Sequence, residues 1–232
     1  MKKIVVLIAS LLISVLVFGQ NSADQAKALA KKEKDTRKNL NEKAGKIARK
    51  EGRQLEKEGY DVAPGALPLK KQLDNAYMKQ SENDDEGYPK WYIANNRGTA
   101  NTAAAAKLTA MELAKLDLAG QLGSNISGLV ENSLSNSQIN EVEATSIQKV
   151  LSASTNVISA SLGRVLVFTE FYKKVGDNNM SCAIMIGTNA KLAEQAAKKA
   201  VRKKLQEETD VVREKLDKML GISLDENADA AK

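Results

Sequence analysis

Histidine is absent from this chain. Its absence removes the commonest general base and the commonest transition-metal ligand, so a Ser-His triad, a Cys-His dyad and an ordinary zinc site are excluded. Cysteine occurs once, at Cys182, so no internal disulfide can form. That residue stands in the apolar run from Met180 to Ile186 and reads as a buried structural thiol. Aromatic side chains make up only 4% of the chain. Tyr88, Trp91 and Tyr92 are nevertheless gathered in one stretch. Together they are a candidate surface for a ligand or partner, able to stack on a sugar or a base, with core packing as the alternative. No residue pattern implies a cofactor or a bound metal. The acidic run from Glu82 to Gly87 offers oxygens, but not at the spacing of an EF-hand loop, and a solvated turn is the simpler reading.

One long apolar run is present, at the start. Lys2 and Lys3 precede an apolar core from Ile4 to Phe18, and small Gly19 stands before Gln20. This is the layout of a secretory signal peptide over 1–19, cleaved after Gly19. A permanent anchor is the alternative, although the run is shorter than the roughly 20 residues usual for a span. Export is therefore expected, to a periplasmic, outer-membrane-associated or secreted location, with no stable membrane span after cleavage. The net charge of +6 is mild. In an exported protein it favours solubility, an anionic lipid, a cell-wall polymer or an acidic partner over nucleic acid.

Residues 20–59 are rich in Lys, Glu, Arg, Ala and Gln, with Leu40, Ala44, Ile47, Ala48 and Leu55 on one narrow helical stripe. This predicts a charged, solvated helical arm. Pro64, Gly65 and Pro68 stop that helix and open a connector over 60–90, within which Leu67, Leu69, Leu73, Ala76, Tyr77 and Met78 suggest a short helix laid against the domain. A domain over 91–220 comes next, and 221–232 reads as a disordered tail.

Within the domain, Trp91 to Ala94 predicts a short strand broken at Asn95-Asn96-Arg97-Gly98. Asn101 or Thr102 caps a long helix whose apolar positions are 104, 108, 111, 114, 118, 122, 126, 129, 130 and 134. Gly120, Gly123 and Gly128 leave open whether 124–134 is helix or strand; the unbroken spacing favours helix. Ile147 to Leu162 is again helically spaced, with Gly163 as terminator. Residues 164–172 and 180–186 predict a β-hairpin around the Gly176-Asp177-Asn178-Asn179 turn. Asn189 to Leu220 predicts a long terminal helix whose far half, beyond Glu208, projects from the body. The fold class is α+β: a small antiparallel sheet of about three strands packed by long helices.

With that element order, Asp117-Leu118-Ala119-Gly120-Gln121-Leu122 takes on meaning. A strand with a Gly-containing end, then an Ala-rich helix carrying this phrase, then an apolar strand pair resembles the LPP-twenty-like envelope lipoproteins. It is also similar to the N-terminal domain of the flagellar protein FlgT. The resemblance covers about Lys90 to Gly187. The upstream phrase from Gly59 to Leu69, with Gln72-Leu73 and Gly87-Tyr88-Pro89-Lys90, resembles a group of exported proteins of Gram-negative anaerobes and their relatives. The resemblance implies an α+β envelope domain used for binding or assembly, with no catalytic residues to carry over. The chain has no lipobox cysteine, and Asn96-Arg97-Gly98 replaces the usual Gly-x-Gly near the first strand.

The function expected is that of an exported, non-enzymatic cell-envelope protein whose partner is an envelope protein or a cell-wall polymer. The alternatives are self-association through its helices, and a carboxylate-dependent hydrolase drawing on Glu112, Asp117, Glu141, Glu143 and Glu170.

Overall fold

A computed structural model describes residues 31, 38, 42–136, 138–209, 211 and 213–222. The expected signal segment over 1–19 and the tail beyond Ile222 lie outside the described residues. The chain divides into two compact units at 46/47, and the described residues of the first unit are helical. The second unit, from Ile47 onward, holds the sheet and the helices packed on it.

The hairpin is present as expected. Strand β3 (Leu166–Val175) and strand β4 (Asn179–Asn189) pair antiparallel, and Gly176 supplies the positive φ of 62° that the turn needs. Strand β2 (Trp91–Ala100) pairs antiparallel with the free side of β4. Strand β1 (Asp61–Val62) pairs with β3, giving one antiparallel sheet in the order β1-β3-β4-β2. The class is α+β, with four strands in place of about three.

One expectation about β2 is corrected, and two about its helix are met. The strand does not break at Asn95-Asn96-Arg97-Gly98; those residues pair in register with Met185, Ile184, Ala183 and Cys182. Gly98 belongs inside the strand because helix α3 (Ala103–Ser135) lies directly on it. A Cβ built at Gly98 would fall 2.4 Å from the Ala110 nitrogen and 2.5 Å from the Ala106 oxygen. Thr102 caps α3, accepting from the Ala105 amide at 3.2 Å. The helix runs unbroken through 124–134, so that stretch is helix.

The buried stripe of α3 follows the expected one at 114, 118, 122, 126 and 130 and departs from it in the first turns. Ala104 and Leu108 are exposed, while Ala106, Ala110, Ala114, Leu118, Leu122, Ile126 and Val130 are buried. Steps of four residues turn a helix by about 40° each beyond a full circle, so the buried stripe winds around α3. Its first half faces β2 and β4, where alanines allow close approach, and its second half faces the other helices.

Those helices differ from expectation at two points. The predicted helix through 147–162 is two, α4 (Glu141–Ser152) and α5 (Thr155–Ser161). Ser154 sits buried between them, its hydroxyl turned back onto the Val150 carbonyl at 2.6 Å. The terminal helix is also two, α6 (Ala190–Glu208) and α7 (Arg213–Leu220), and the second does not project. Leu216 and Leu220 are fully buried, Asp217 accepts from Arg202 at 2.8 Å, and Lys215 reaches Glu143 at 2.7 Å. A polar Glu208 marks the break, and folding back buries leucines that a projecting helix would leave in water.

The opposite face of the sheet is covered by helical residues 47–57 (α1) and by α2 (Leu69–Gln80). Ala48, Leu55, Tyr60, Leu69 and Leu73 form a second core with Phe171 and Ala183. This end of the expected solvated arm is therefore packed. Each large side chain in the cluster contributes roughly 1.5–3 kcal/mol of burial, which a solvated arm would forgo. Strand β4, covered on both faces, is buried without interruption from Ser181 to Thr188.

The contact at Gly98 yields a paired prediction. Gly98→Val forces a side chain into helix backbone and is expected to lower the unfolding free energy by about 3 kcal/mol or more. Gly120→Ala, at an exposed helical site with nothing within 4 Å, is expected to raise it by up to about 1 kcal/mol. Urea titration of both variants checks the pair.

Candidate functional site

Strand alternation divides the side chains of β2 between two environments. Tyr92, Ala94, Asn96 and Gly98 face α3; Trp91, Ile93, Asn95, Arg97 and Thr99 share the face of α1 and α2. On that second face two hollows adjoin. One, of 230 Å³, is lined by Glu51, Leu55, Asn95, Arg97, Thr169 and Met185, among others. Its neighbour, of 290 Å³, lies between α1 and Arg97 and includes Ile47, Lys50, Gln54 and Glu58. Ile47 is 51% exposed there.

Arg97 is the hinge between the hollows. Its guanidinium donates to Glu58 at 2.9 Å and lies 5.3 Å from the centre of the Tyr60 ring. Lys173 approaches that ring at 4.6 Å, and the buried Tyr60 hydroxyl pairs with the Ser181 hydroxyl at 3.0 Å. The Glu58 carboxyl is held below its ordinary range, first by the hydrogen bond from Gln54 and, against partial burial, by Arg97 and Lys173. Glu51 accepts from the Tyr77 hydroxyl, whose pKa is raised by burial and then by that carboxylate. The lining thus offers one guanidinium, the Lys50 ammonium, two carboxylates, amides, a hydroxyl and an apolar floor. It can hold a ligand by shape and hydrogen bonds.

The three aromatics singled out in the sequence are not brought together. The Trp91 indole donates to Glu82 at 2.9 Å, lies 5.4 Å under Lys79, and meets Phe168 edge-on at 5.6 Å. Tyr92 points to the other face, donating to Glu194 and accepting from Asn125. Tyr88 is 65% exposed in the turn beyond Asp84. Trp91's actual aromatic neighbour, Phe168, sits at a β-bulge and covers Gly187. An unbroken β-pattern through 164–172 gives no signal for that bulge.

The acidic run is used internally. Asp84 accepts the Glu86 and Tyr88 amides at 3.0 and 2.9 Å, and Glu82 holds Lys79 and Trp91. Among the described residues no three Cys, Asp or Glu side chains cluster as metal ligands. The five candidate carboxylates lie on three elements. Glu112 pairs with Lys115, Asp117 accepts from Asn96 at 2.8 Å, and Glu143 completes the α4 capping box and binds Lys215. Glu141 stands in the first turn of α4. Glu170 holds Lys107 at 2.6 Å and the Tyr172 hydroxyl.

That last cluster adjoins Cys182, which sequence reasoning placed correctly as a buried thiol. Burial first, and the Glu170 carboxylate next, push the thiol up to about 11. Burial likewise raises Tyr92 and Tyr172, each helped by its glutamate. No protein-family model matches this chain, and neither a curated protein nor a solved structure matches it.

These shifts can be read in solution. Phenols of Tyr77, Tyr92 and Tyr172 are expected to ionise above the usual range in the folded chain and near 10 once it is unfolded. Because the folded values are the higher ones, their contribution to stability is complete below about pH 10 and is lost as the pH rises further. Alkaline titration of phenolate absorbance, folded against urea-unfolded, reads this. Cys182 is expected to resist a thiol reagent at neutral pH until denaturant is added.

Proposed function

We infer that the chain is an exported, non-enzymatic protein of the cell envelope that binds or assembles with an envelope protein or a cell-wall polymer. The observation that carries this reading is the pair of adjoining hollows along α1 and β2. Their mixed lining, with Arg97 between them and Ile47 half-exposed at the rim, suits recognition of a surface or a polymer segment. The signal-like pattern over 1–19 and the resemblance to LPP-twenty-like envelope proteins point the same way. No helix among the described residues is long and apolar enough to cross a membrane.

The hydrolase reading gains no geometric support. Four of its five carboxylates are engaged by a cation or a hydrogen-bond donor, and the five are distributed over three elements. A carboxylate pair able to cleave a glycoside would face across a cleft at about 5–10 Å.

The test is a crosslinking capture from the native envelope, using the epitope-tagged full chain produced in its own cell. The expected result is a defined protein or polymer recovered in proportion to the bait, with the bait's N-terminus at Gln20. Arg97→Glu inverts an exposed charge at the junction of the hollows and is expected to cut recovery at least about fivefold without changing the circular dichroism spectrum. Recovery of nothing above an untagged control, or full recovery with Arg97→Glu, would count against the reading.

A further inference from the structure

One threonine of the sheet is buried without a hydrogen bond. Thr169 of β3 is only 3% exposed. Its hydroxyl meets no donor or acceptor among the described residues, and its oxygen is not sealed off from solvent. The side chain lines the 230 Å³ hollow, so the oxygen opens into that space. A buried hydroxyl that the fold leaves unpaired costs stability unless something else bonds it.

Strand pairing sets Thr169, Met185 and Asn95 in one row across the sheet, and Phe171, Ala183 and Arg97 in the next. Thr169 and Asn95 stand two strand spacings apart, about 10 Å at their Cα atoms, with Met185 as the floor between them. Helix α1 brings Glu51 and Leu55 to the same space. Glu51 takes the Tyr77 hydroxyl on one carboxylate oxygen and leaves the other without a partner among the described residues. Arg97 gives one nitrogen to Glu58 and keeps further N–H groups, and the exposed Asn95 amide is uncommitted among those residues. Asn95 and Thr169 can each donate and accept, Glu51 accepts and Arg97 donates.

Formal charge along the two hollows is balanced, with Lys50 and Arg97 against Glu51 and Glu58. An anion would face the glutamates and a cation the arginine and lysine, so neither sign is favoured. Donors and acceptors that converge from several sides match a ring bearing several hydroxyls, since each hydroxyl does both. Carboxylate, amide and guanidinium are planar forks that address neighbouring hydroxyls, while Met185 and Leu55 take the carbon–hydrogen face of the ring. The hollow is smaller than the roughly 300–1,000 Å³ that holds a drug-sized ligand, so it takes one ring. A peptide strand would call for donors and acceptors along a line, which this lining does not supply.

We propose that the hollow over Met185 binds one uncharged sugar residue of a glycan, hydrogen-bonded by Thr169 and Asn95 from the sheet, Glu51 from α1 and Arg97 at the junction. The proposal rests on the reading of the hollows as the recognition site and narrows the partner there to a polysaccharide.

The test titrates the full chain with neutral trisaccharides of N-acetylglucosamine, glucose and galactose, read by ligand-observed saturation-transfer NMR, with trigalacturonate as the charged comparison. At least one neutral trisaccharide should bind saturably and more tightly than trigalacturonate. Thr169→Val keeps the shape and removes the hydroxyl. It should weaken that binding at least about fivefold, while the urea midpoint stays the same or rises, because the hydroxyl holds nothing in the folded chain. Asn95→Ala, at an exposed site, should weaken binding as well. The proposal is overturned if no neutral trisaccharide binds, if trigalacturonate binds as tightly, or if Thr169→Val binds like the unaltered chain. Arg97-dependent capture of an envelope protein alongside any of those results would leave the broader reading standing; a blank capture would remove both.

Discussion

The close contact of β2 with α3 at Gly98 sets the geometry on which the rest depends. With no Cβ at that position, helix backbone rests on strand backbone at Ala106 and Ala110, and Ala114 keeps the approach tight for one turn beyond it. Once that contact is made, the level of every later α3 residue against β2 is fixed. Asp117 then reaches Asn96, Gln121 reaches Ile93, and Asn125 reaches Tyr92. A larger residue at position 98 would lift the helix, and those polar contacts would be lost together.

The same contact explains why the helix turns its buried stripe. Packing of small residues on the sheet uses one side of α3, and packing of Leu118, Leu122, Ile126 and Val130 uses the sides that follow by four-residue steps. One helix thereby serves two partners, the sheet first and the helical layer α4 to α7 afterwards. The layer is closed by α7, which Asp217 ties to Arg202 and Lys215 ties to Glu143. Both bonds are partly shielded from water, where an ion pair counts for more than at an open surface.

Much of this fold is legible in the sequence, and the departures have physical causes. The hairpin declares itself through β-branched and apolar residues on either side of Gly176, because turn chemistry and strand composition agree there. Thr102 as a cap and the helical identity of 124–134 come from local signals as well. The phase of the first turns of α3 is misplaced by starting the stripe at Ala104 and Leu108, because the close strand–helix contact at Gly98 buries Ala106 and Ala110 instead. Glu208 marks the break in the terminal helix, yet nothing local to it says that α7 is buried. A stripe shows that a helix has a partner, and folding back decides which. Residues 47–57 read as solvated for a similar reason: Ala48 and Leu55 look sparse until the second face of β4, with Ala183 and Phe171, is known to need cover.

The candidate site is the least legible part. Trp91 and Tyr92 draw attention by rarity, but adjacency in a strand sends neighbours to opposite faces, so a pair of aromatics side by side in sequence is a poor guide to one surface. Arg97 and Asn95 stand in what reads as a break, among residues with turn character. They become site residues only because Gly98 keeps the strand going under α3, which presents Asn95 and Arg97 to α1 on one face. The polar stretch that reads as the end of a strand is therefore the part that lines the hollows and runs along the outer strand of the sheet among the described residues. Its Asn-rich composition suits both roles, since short amides can cover an exposed backbone group as readily as they can hydrogen-bond a partner.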